Sequence, residues 1–309
     1  MFKSKEKKAT GVYVAGSKLH IVELCRRGDQ VFLLKLVEWE LDEKVAGAPL
    51  ASDEWRKGLV EGLVEAGRQE LVDYTNPILG LDDRAVLLKR RPLVAENEKS
   101  NREHLMWEAE QFLAGSVDQY GIDIVSTAFY GFVVAVQRDL LNQYMTLCRQ
   151  AGMRDPVFDI APFAFYNALD ASGQLDKGRL QLVVDIDSRA ARVLLLQGEQ
   201  LRGVNTCFWE EESEENVSRL KNLMHMLENW LKEEVGEEKP QRIWVGGMGA
   251  DENFWLREMK ARLAVASEFL EPFKGINTSP LPSSTAPYLE ASSRFAAAAG
   301  LAYRGLLTG

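Results

Sequence analysis

The sequence is poor in cysteine and histidine, the residues that most often build disulfide frameworks and zinc sites. Its 309 residues include three of each. Cys25, Cys148 and Cys207 are far apart and form no Cys-x-x-Cys pair, and the histidines are equally scattered. An odd, sparse set of cysteines is typical of a reducing cytosol and argues against a disulfide framework. Because no ligand spacing for zinc is present either, we expect no metal.

Long apolar runs and excess positive charge are also missing. The longest apolar runs, such as Phe132–Val136, are strand-sized, whereas a membrane-spanning helix needs about 20 apolar residues. Residues 1–8 are rich in lysine and lack the apolar core of a signal peptide, which favours a disordered, soluble start. The formal net charge is −9. Since duplex binding depends on counterion release by Lys and Arg, the composition argues against a nucleic-acid partner.

The sequence does contain two similar strand–turn–strand segments. Residues 11–24 carry β-branched and aliphatic side chains on both sides of the Gly16-Ser17 turn. Residues 180–196 repeat this arrangement around a turn at 186–190. Apolar runs on either side of a short turn are typical of a β-hairpin. One hairpin at the start of each half of the chain predicts an internal structural duplication.

A polar, turn-rich stretch at 171–179 predicts the boundary between two domains, residues 1–175 and 176–309. Within the first domain, residues 84–155 mix short strand patterns, beginning at 85–89, with helical ones. One of those helices is expected after Ser100. This block predicts a small α+β insertion.

The second half alternates helix and strand patterns. An amphipathic helix is expected over 213–235, with Ser213 as its cap, and a strand runs from Ile243 into the turn Gly246-Gly247-Met248-Gly249. Residues 275–288 are rich in Pro, Ser and Thr and predict a loop. The final helix, 292–305, is so rich in Ala and Gly that it can lie very close to another backbone.

The order of these elements resembles the actin/Hsp70/sugar-kinase superfamily. Several further segments resemble, in order and spacing, the PilM type of pilus assembly protein, which is related to FtsA and to the cytoplasmic GspL and MshI proteins. They are Glu108–Phe112, Phe132–Gln137, Ala151–Met153, Val157–Ala164, Glu271–Lys274 and Ala298–Gly305.

The resemblance implies an α/β, actin-like ATPase fold, that is, a duplicated ribonuclease H-like fold in two lobes. The first lobe would carry the inserted subdomain at about 84–155, and the upper subdomain of the second, at about 206–238, would be reduced. In this fold two hairpin loops bind a triphosphate, and carboxylates hold its magnesium shell. The cofactor-binding positions that the resemblance implies are Gly16, Ser17, Lys18, Asp185, Asp187, Gly246, Gly247 and Gly249.

Two positions depart from the chemistry of that family. Tyr13 stands where the first loop has an acid, and Asp187 stands where the second loop has a glycine, beside the matching acid Asp185. At about 4 Å and an effective dielectric constant of about 20, a like-charge pair costs about 4 kcal/mol before screening. Asp187 would therefore repel a triphosphate unless Arg189 or Arg192 turned inward. We predict no catalytic residues and no hydrolysis, and leave ATP binding without turnover open.

The leading hypothesis is a non-catalytic platform protein, peripheral to the membrane, at the cytoplasmic face of the inner membrane. By resemblance it would bind the cytosolic tail of a PilN-type, single-span membrane protein, together with other inner-membrane components of a type IV pilus or related secretion machine. In that family an extended peptide lies in a groove between the core of the first lobe and the extra subdomain. Two alternatives stay open: a Mg-ATP-binding ATPase of the same superfamily, and a filament-forming actin relative.

Overall fold

The computed structural model describes residues 6–94, 97–209, 215–247 and 252–307. In chain order its strands are β1 (Lys7–Ala15), β2 (Lys18–Arg27), β3 (Gln30–Glu40), β4 (Pro77–Leu81), β5 (Leu87–Pro92), β6 (Tyr120–Ser126), β7 (Tyr130–Gln137), β8 (Val157–Ile160), β9 (Leu180–Ile186), β10 (Ala190–Gln197), β11 (Gln200–Phe208), β12 (Arg242–Gly246) and β13 (Ala266–Phe269). Its α-helices are α1 (Glu43–Gly47), α2 (Asp53–Gln69), α3 (Glu98–Phe112), α4 (Arg138–Gln150), α5 (Ala161–Ala171), α6 (Asn216–Val235), α7 (Glu252–Leu263), α8 (Ala286–Glu290) and α9 (Ala296–Leu307).

Two five-stranded sheets with the same strand order form the centres of the two lobes. The first has the order β3-β2-β1-β4-β8 and the second β11-β10-β9-β12-β13. In each, three antiparallel strands precede two parallel ones. The repeated order confirms the duplication that the two hairpins predict. The β1–β2 hairpin has a two-residue turn, whereas the β9–β10 hairpin has a three-residue turn. In the first of these turns Gly16 adopts a φ of +62°, a conformation that glycine reaches without a steric penalty.

A third sheet lies between β4 and β8 in sequence and has the order β5-β7-β6. Leu105 and Ala109 of α3 pack on it with Val133 and Ala135 of β7, which gives this inserted subdomain a small core of its own. Helix α4 returns the chain to the first lobe, where Leu147 packs in the core beside α2. The insertion is therefore joined to the first lobe by an apolar interface as well as by its two chain connections.

Helices α5 and α9 lie between the two large sheets, and glycines allow the close approach that the composition of α9 predicts. A Cβ added to Gly300 of α9 would overlap the carbonyl oxygen of Ala164 in α5. A Cβ added to Gly11 of β1 would overlap the carbonyl oxygen of Ala298 in the same way. Small residues thus bring one helix into backbone contact with a strand and with a second helix, and they fix the distance between the lobes.

Several element boundaries differ from the sequence-based expectations. The first strand of the insertion is displaced to Leu87–Pro92, because residues 83–85 form a 3₁₀ turn. Helix α3 begins after Asn97, whose side-chain oxygen accepts from the Ser100 N–H at 2.8 Å, so Asn97 and not Ser100 is its cap. Ser213 lies outside the described residues, and α6 begins at Asn216 without a side-chain cap.

Two further differences lie near the end of the chain. The stretch 275–288 is not entirely loop, because a 3₁₀ turn at Ser283–Thr285 leads into α8, where Pro287 stands in the first turn; proline suits that position because its φ is already helical. The closing helix is 3₁₀ over Ser292–Phe295 and becomes α-helical from Ala296. Among the described residues, no helix combines the length and the apolar character that crossing a bilayer requires.

Candidate functional site

The turns of the two hairpins touch across the cleft between the lobes. Gly16 in the β1–β2 turn lies so close to Ser188 in the β9–β10 turn that an added Cβ would overlap the serine Oγ. In an actin-like site the phosphates pass between these two turns. In this structure the two turns are instead in direct contact.

Arg192 lies behind that contact and binds three carboxylates. It is on β10, opposite Asp185 of β9. One guanidinium nitrogen donates to Asp185 Oδ2 at 2.6 Å, and another donates to Asp187 Oδ2 at 2.7 Å. The guanidinium also contacts Asp83, which follows β4 in the first lobe. We call Arg192, Asp83, Asp185 and Asp187 the Arg192 cluster. The Arg192 side chain is only 6% exposed, so its charge depends on these partners.

The acids of the Arg192 cluster have very different electrostatic environments. Burial raises the pKa of Asp185 to about 7, although Arg192 opposes the shift. Burial also acts to raise the pKa of Asp187, but Arg192 and the N–H groups of Arg189 and Ala190 outweigh it and hold that pKa below its usual value. Asp187 is therefore the more stable counter-ion of Arg192, whereas burial favours the protonated form of Asp185.

The carboxylate of Asp187 also closes the second turn. Its Oδ1 accepts from the backbone N–H groups of Arg189 and Ala190, at 2.7 and 2.8 Å. This is the local bonding that lets Asp and Asn replace glycine in turns. Beside the turn, Arg189 donates to Asp82 Oδ2 at 3.2 Å, which adds a second ion pair between the lobes.

The basic residue of the first turn does not face the cleft. Lys18 donates to Glu38 Oε1 at 2.7 Å, and Glu38 Oε2 also contacts His20 at 3.2 Å and Arg294 at 3.3 Å. The hydrogen bond with His20, together with that from Lys18, lowers the pKa of Glu38 to about 2. Ser17 is likewise turned toward β3, where its hydroxyl donates to Glu40 at 2.6 Å. Lys18 and Ser17 thus bond within the first sheet.

The glycine turn after β12 packs against the second hairpin. Gly247 has a φ of +95°, and an added Cβ would overlap Asp185 Oδ1. Its N–H donates to the carbonyl oxygen of Ser293 at 3.1 Å. Gly246 lies against Phe165, and Gly249 lies outside the described residues. The structure therefore brings Gly16, Asp185, Asp187 and Gly247 together, and their binding to a nucleotide stays a prediction.

The described residues leave a small pocket beside the two turns. It has a volume of about 60 Å³ and is lined by Tyr13, Asp83, Arg189, Arg192 and Phe208 among others. Ligand pockets usually have about 300–1,000 Å³. Tyr13 is buried here, and burial raises its pKa well above the ordinary value, so it is a neutral phenol and no substitute for an acid. Among the described residues no group of His, Cys, Asp and Glu is arranged to hold a metal ion. In this conformation the cleft does not fit a magnesium-bound triphosphate.

A much larger cavity, of about 630 Å³, opens between the first lobe and the insertion. One wall is β6 of the insertion and the opposite wall is β8 with the start of α5, and we call the cavity the β6–β8 groove. Its lining is mostly apolar, with Leu81, Ile122, Val125, Val134, Val136, Leu141, Phe158, Ile160 and Phe163. The sequence did not identify these residues, because they come from six separate elements.

Both lobes contribute to the β6–β8 groove. At one end the Tyr166 hydroxyl donates to the carbonyl oxygen of Glu199 at 2.7 Å, and the Ala128 N–H donates to Gln200 Oε1 at 3.1 Å. Glu199 belongs to the β10–β11 turn of the second lobe, and Gln200 is the first residue of β11. The groove also contains an ion pair between Arg304 and the buried Asp159, at 2.5 Å.

Comparisons with known proteins identify the fold. The chain is similar to a chain of the PilM-PilN type IV pilus biogenesis complex, with a TM-score of 0.80 and 19% identity over 96% of this chain and 98% of that one. It is also similar to a Bacteroides thetaiotaomicron protein with an actin-like ATPase fold and unknown function, with a TM-score of 0.52 and 11% identity over 88% and 94% of the two chains. No protein-family model and no curated protein matches the sequence. The chain therefore has the actin-like ATPase fold, as its pattern of elements predicts.

Proposed function

We propose that the protein is a non-catalytic platform of a type IV pilus or related secretion system. It binds an extended cytosolic segment of a single-span, PilN-type membrane protein and works at the cytoplasmic face of the inner membrane. The observation that carries this proposal is the β6–β8 groove. The similarity to a chain of a PilM-PilN complex along almost the whole length supports it.

The groove has the features that suit an extended peptide. Among the described residues β6 pairs only with β7, and β8 pairs only with β4. Each strand therefore has an unpaired edge, and residues of both strands line the same cavity. A peptide strand can gain affinity from main-chain hydrogen bonds to such an edge and specificity from apolar side chains in the groove.

The charges of the groove favour a peptide that carries a basic residue. Three carboxylates, those of Asp123, Asp159 and Glu199, line the cavity with one guanidinium, that of Arg304. Arg304 already pairs with Asp159, and Lys177 pairs with Glu199 at 2.8 Å, so the excess negative charge of the lining rests on Asp123. Asp123 is exposed at the rim, where charge acts mainly on encounter rate and specificity.

The ATPase alternative has no support in the cleft. Asp185 and Asp187, the acids expected at the magnesium shell, are hydrogen-bonded to Arg192, and the pocket beside them has a volume of about 60 Å³. A proton-accepting role for Asp185 would also require Arg192 to leave it. We therefore propose that the protein does not turn ATP over.

Calorimetry tests the proposal. The cytosolic segment of a PilN-type, single-span membrane protein is titrated as a synthetic peptide into the purified protein. We expect saturable binding, and we expect Ser126→Trp, which places bulk at an exposed position of the groove, to weaken it by at least about tenfold, or 1.4 kcal/mol. Ser218→Trp, at an exposed position on α6, is the matched control and should leave the affinity unchanged.

A charge pair of variants gives a second test. Asp123→Lys reverses a charge in the groove, whereas Asp118→Lys makes the same change at an exposed position of the insertion outside it. Only the first should alter the affinity and its dependence on salt. No peptide binding, or equal effects of the groove variants and their controls, would overturn the proposal.

A further inference from the structure

We propose that Arg192 takes the place of a metal-bound nucleotide, holding the two lobes closed and so fixing the wall of the β6–β8 groove without ATP. This inference extends the proposed function, because it concerns how the groove is held in shape. It includes the contacts that Arg90 and Ala128 of the insertion make with the second lobe.

The Arg192 guanidinium has the position and the chemistry that bridging the lobes requires. Arg192 lies where both hairpins meet the segment after β4, and it binds Asp185 and Asp187 of its own lobe and Asp83 of the other. A guanidinium is always protonated at physiological pH and presents donors in a fixed plane to several carboxylates at once. It can therefore do the bridging work that a cation with its phosphates would do in this fold. Magnesium could not join it, because its octahedral shell needs the same oxygens.

Two ion pairs between the lobes involve the same short segment of the first lobe, Asp82 and Asp83. Arg192 binds Asp83, and Arg189 binds the adjacent Asp82. These two acids begin the turn that leads from β4 of the first lobe into β5 of the insertion. The Asp82 N–H also donates to the hydroxyl of Tyr144 at 3.3 Å. Tyr144 is on α4, the helix that returns the chain from the insertion to the first lobe. The segment that enters the insertion is thus tied to the second lobe, and the helix that leaves the insertion is bonded to that segment.

The insertion has a further anchor to the second lobe. Arg90 of β5 makes two hydrogen bonds with Glu234 of α6, at 2.5 and 2.6 Å, and donates to the carbonyl oxygen of Arg202 at 3.1 Å. The Ala128 contact with Gln200 adds to it. The sheet that carries β6 is therefore held by the second lobe at separate points, whereas β8 belongs to the first lobe. The insertion also packs on the first lobe through Leu147 of α4, so opening of the lobes would break one of these two sets of contacts and change the position of β6 in the groove.

Hydrogen exchange measured by mass spectrometry, without any peptide, tests this link. Asp83→Asn removes one charge from the bridge and keeps the side-chain size, and Asp82→Asn does the same to the neighbouring pair. We expect the backbone amides of residues 120–126 in β6 to exchange at least about threefold faster in each variant than in the wild type. The amides of β12 should exchange at the same rate in all three proteins. Glu65→Gln, which breaks the exposed pair with Arg68, is the control and should leave β6 unchanged. Asp82→Asn decides the question if Asp83→Asn does not fold.

Thermal unfolding with and without Mg·ATP at about millimolar concentration is the second readout. We expect the melting temperature of the wild type to be the same in both. Either stabilisation by Mg·ATP, or β6 exchange in both variants equal to that of the wild type, would overturn the inference. Neither measurement uses a peptide. The inference about Arg192 can therefore fail while the proposal of peptide binding stands, and peptide binding can fail without changing the exchange or unfolding results.

Discussion

Arg192 of the second lobe contacts Asp83 of the first lobe, 109 residues earlier in the chain. The two residues stand on opposite sides of the cleft in which actin-like proteins bind a nucleotide. Their contact brings the acids of the second hairpin, the segment before the insertion and the wall of the β6–β8 groove into one connected structure. Variants at single residues can test each part of this connected structure separately.

Removal of the guanidinium should be costly. Arg192→Met puts an apolar side chain of similar length in its place but leaves the buried Asp185 and Asp187 and the partly buried Asp83 without their cation. We expect the free energy of unfolding, measured with urea, to fall by about 3–5 kcal/mol. Adding Asp185→Asn should recover part of the loss. Arg68→Met, in an exposed pair, should cost less than about 1 kcal/mol; equal losses at the two arginines would contradict the prediction.

Glu23 should make stability depend on pH. It is buried beside the Asp73 N–H, which donates to it at 3.2 Å, and burial raises its pKa from 4.5 to about 7. Between these values the folded protein holds a proton that the unfolded chain releases, so stability falls as the pH rises through this window. Glu23→Gln has no such proton.

The measurement for Glu23 is urea unfolding at pH 5 and pH 8. Relative to the wild type, we expect Glu23→Gln to gain on the order of 2 kcal/mol between the two pH values. Glu103→Gln, at an exposed position on α3, should show no such gain. The same difference at both pH values would rule out a raised pKa for Glu23.

Gly300 should not tolerate a side chain. An alanine there would place its Cβ against the backbone of α5 at Ala164, which cannot move aside as a flexible side chain could. We expect Gly300→Ala to lower the free energy of unfolding by about 1–3 kcal/mol or more. At Gly47, where an added Cβ meets nothing within 4 Å, alanine should be neutral or stabilise by up to about 1 kcal/mol. Thermal unfolding of both variants decides between close packing and a simple helix preference.

The pair between Arg90 and Glu234 should be strongly coupled. Its bonds are bidentate, Glu234 has a side chain only 7% exposed, and Arg90 also lies over the ring of Tyr130 at 4.3 Å. A double-mutant cycle with Arg90→Met and Glu234→Gln should give a coupling energy of at least about 1 kcal/mol. The exposed pair of Arg68 and Glu65 should give less than about 0.5 kcal/mol. Equal coupling energies would show that the insertion is not anchored through this pair.

The sequence by itself determined the local architecture. The hairpins around Gly16 and Asp187, the strand that ends at Gly246, and the small residues of α9 follow from side-chain alternation, turn chemistry and size. All of these act over a few residues, so they are visible in a single sequence. Their order along the chain was enough to indicate the actin-like fold.

Only the tertiary structure decided how the charges are used. The sequence left open whether Arg192 turned inward, and it assigned Lys18 to the cleft, whereas Lys18 pairs with Glu38. Nor did it identify the lining of the β6–β8 groove, which joins the edge of β6 to residues as distant as Arg304. The physical reason is the same in each case. A charged side chain takes the partner that the fold brings within reach, and that partner is set by strand pairing and lobe contact between segments tens to hundreds of residues apart.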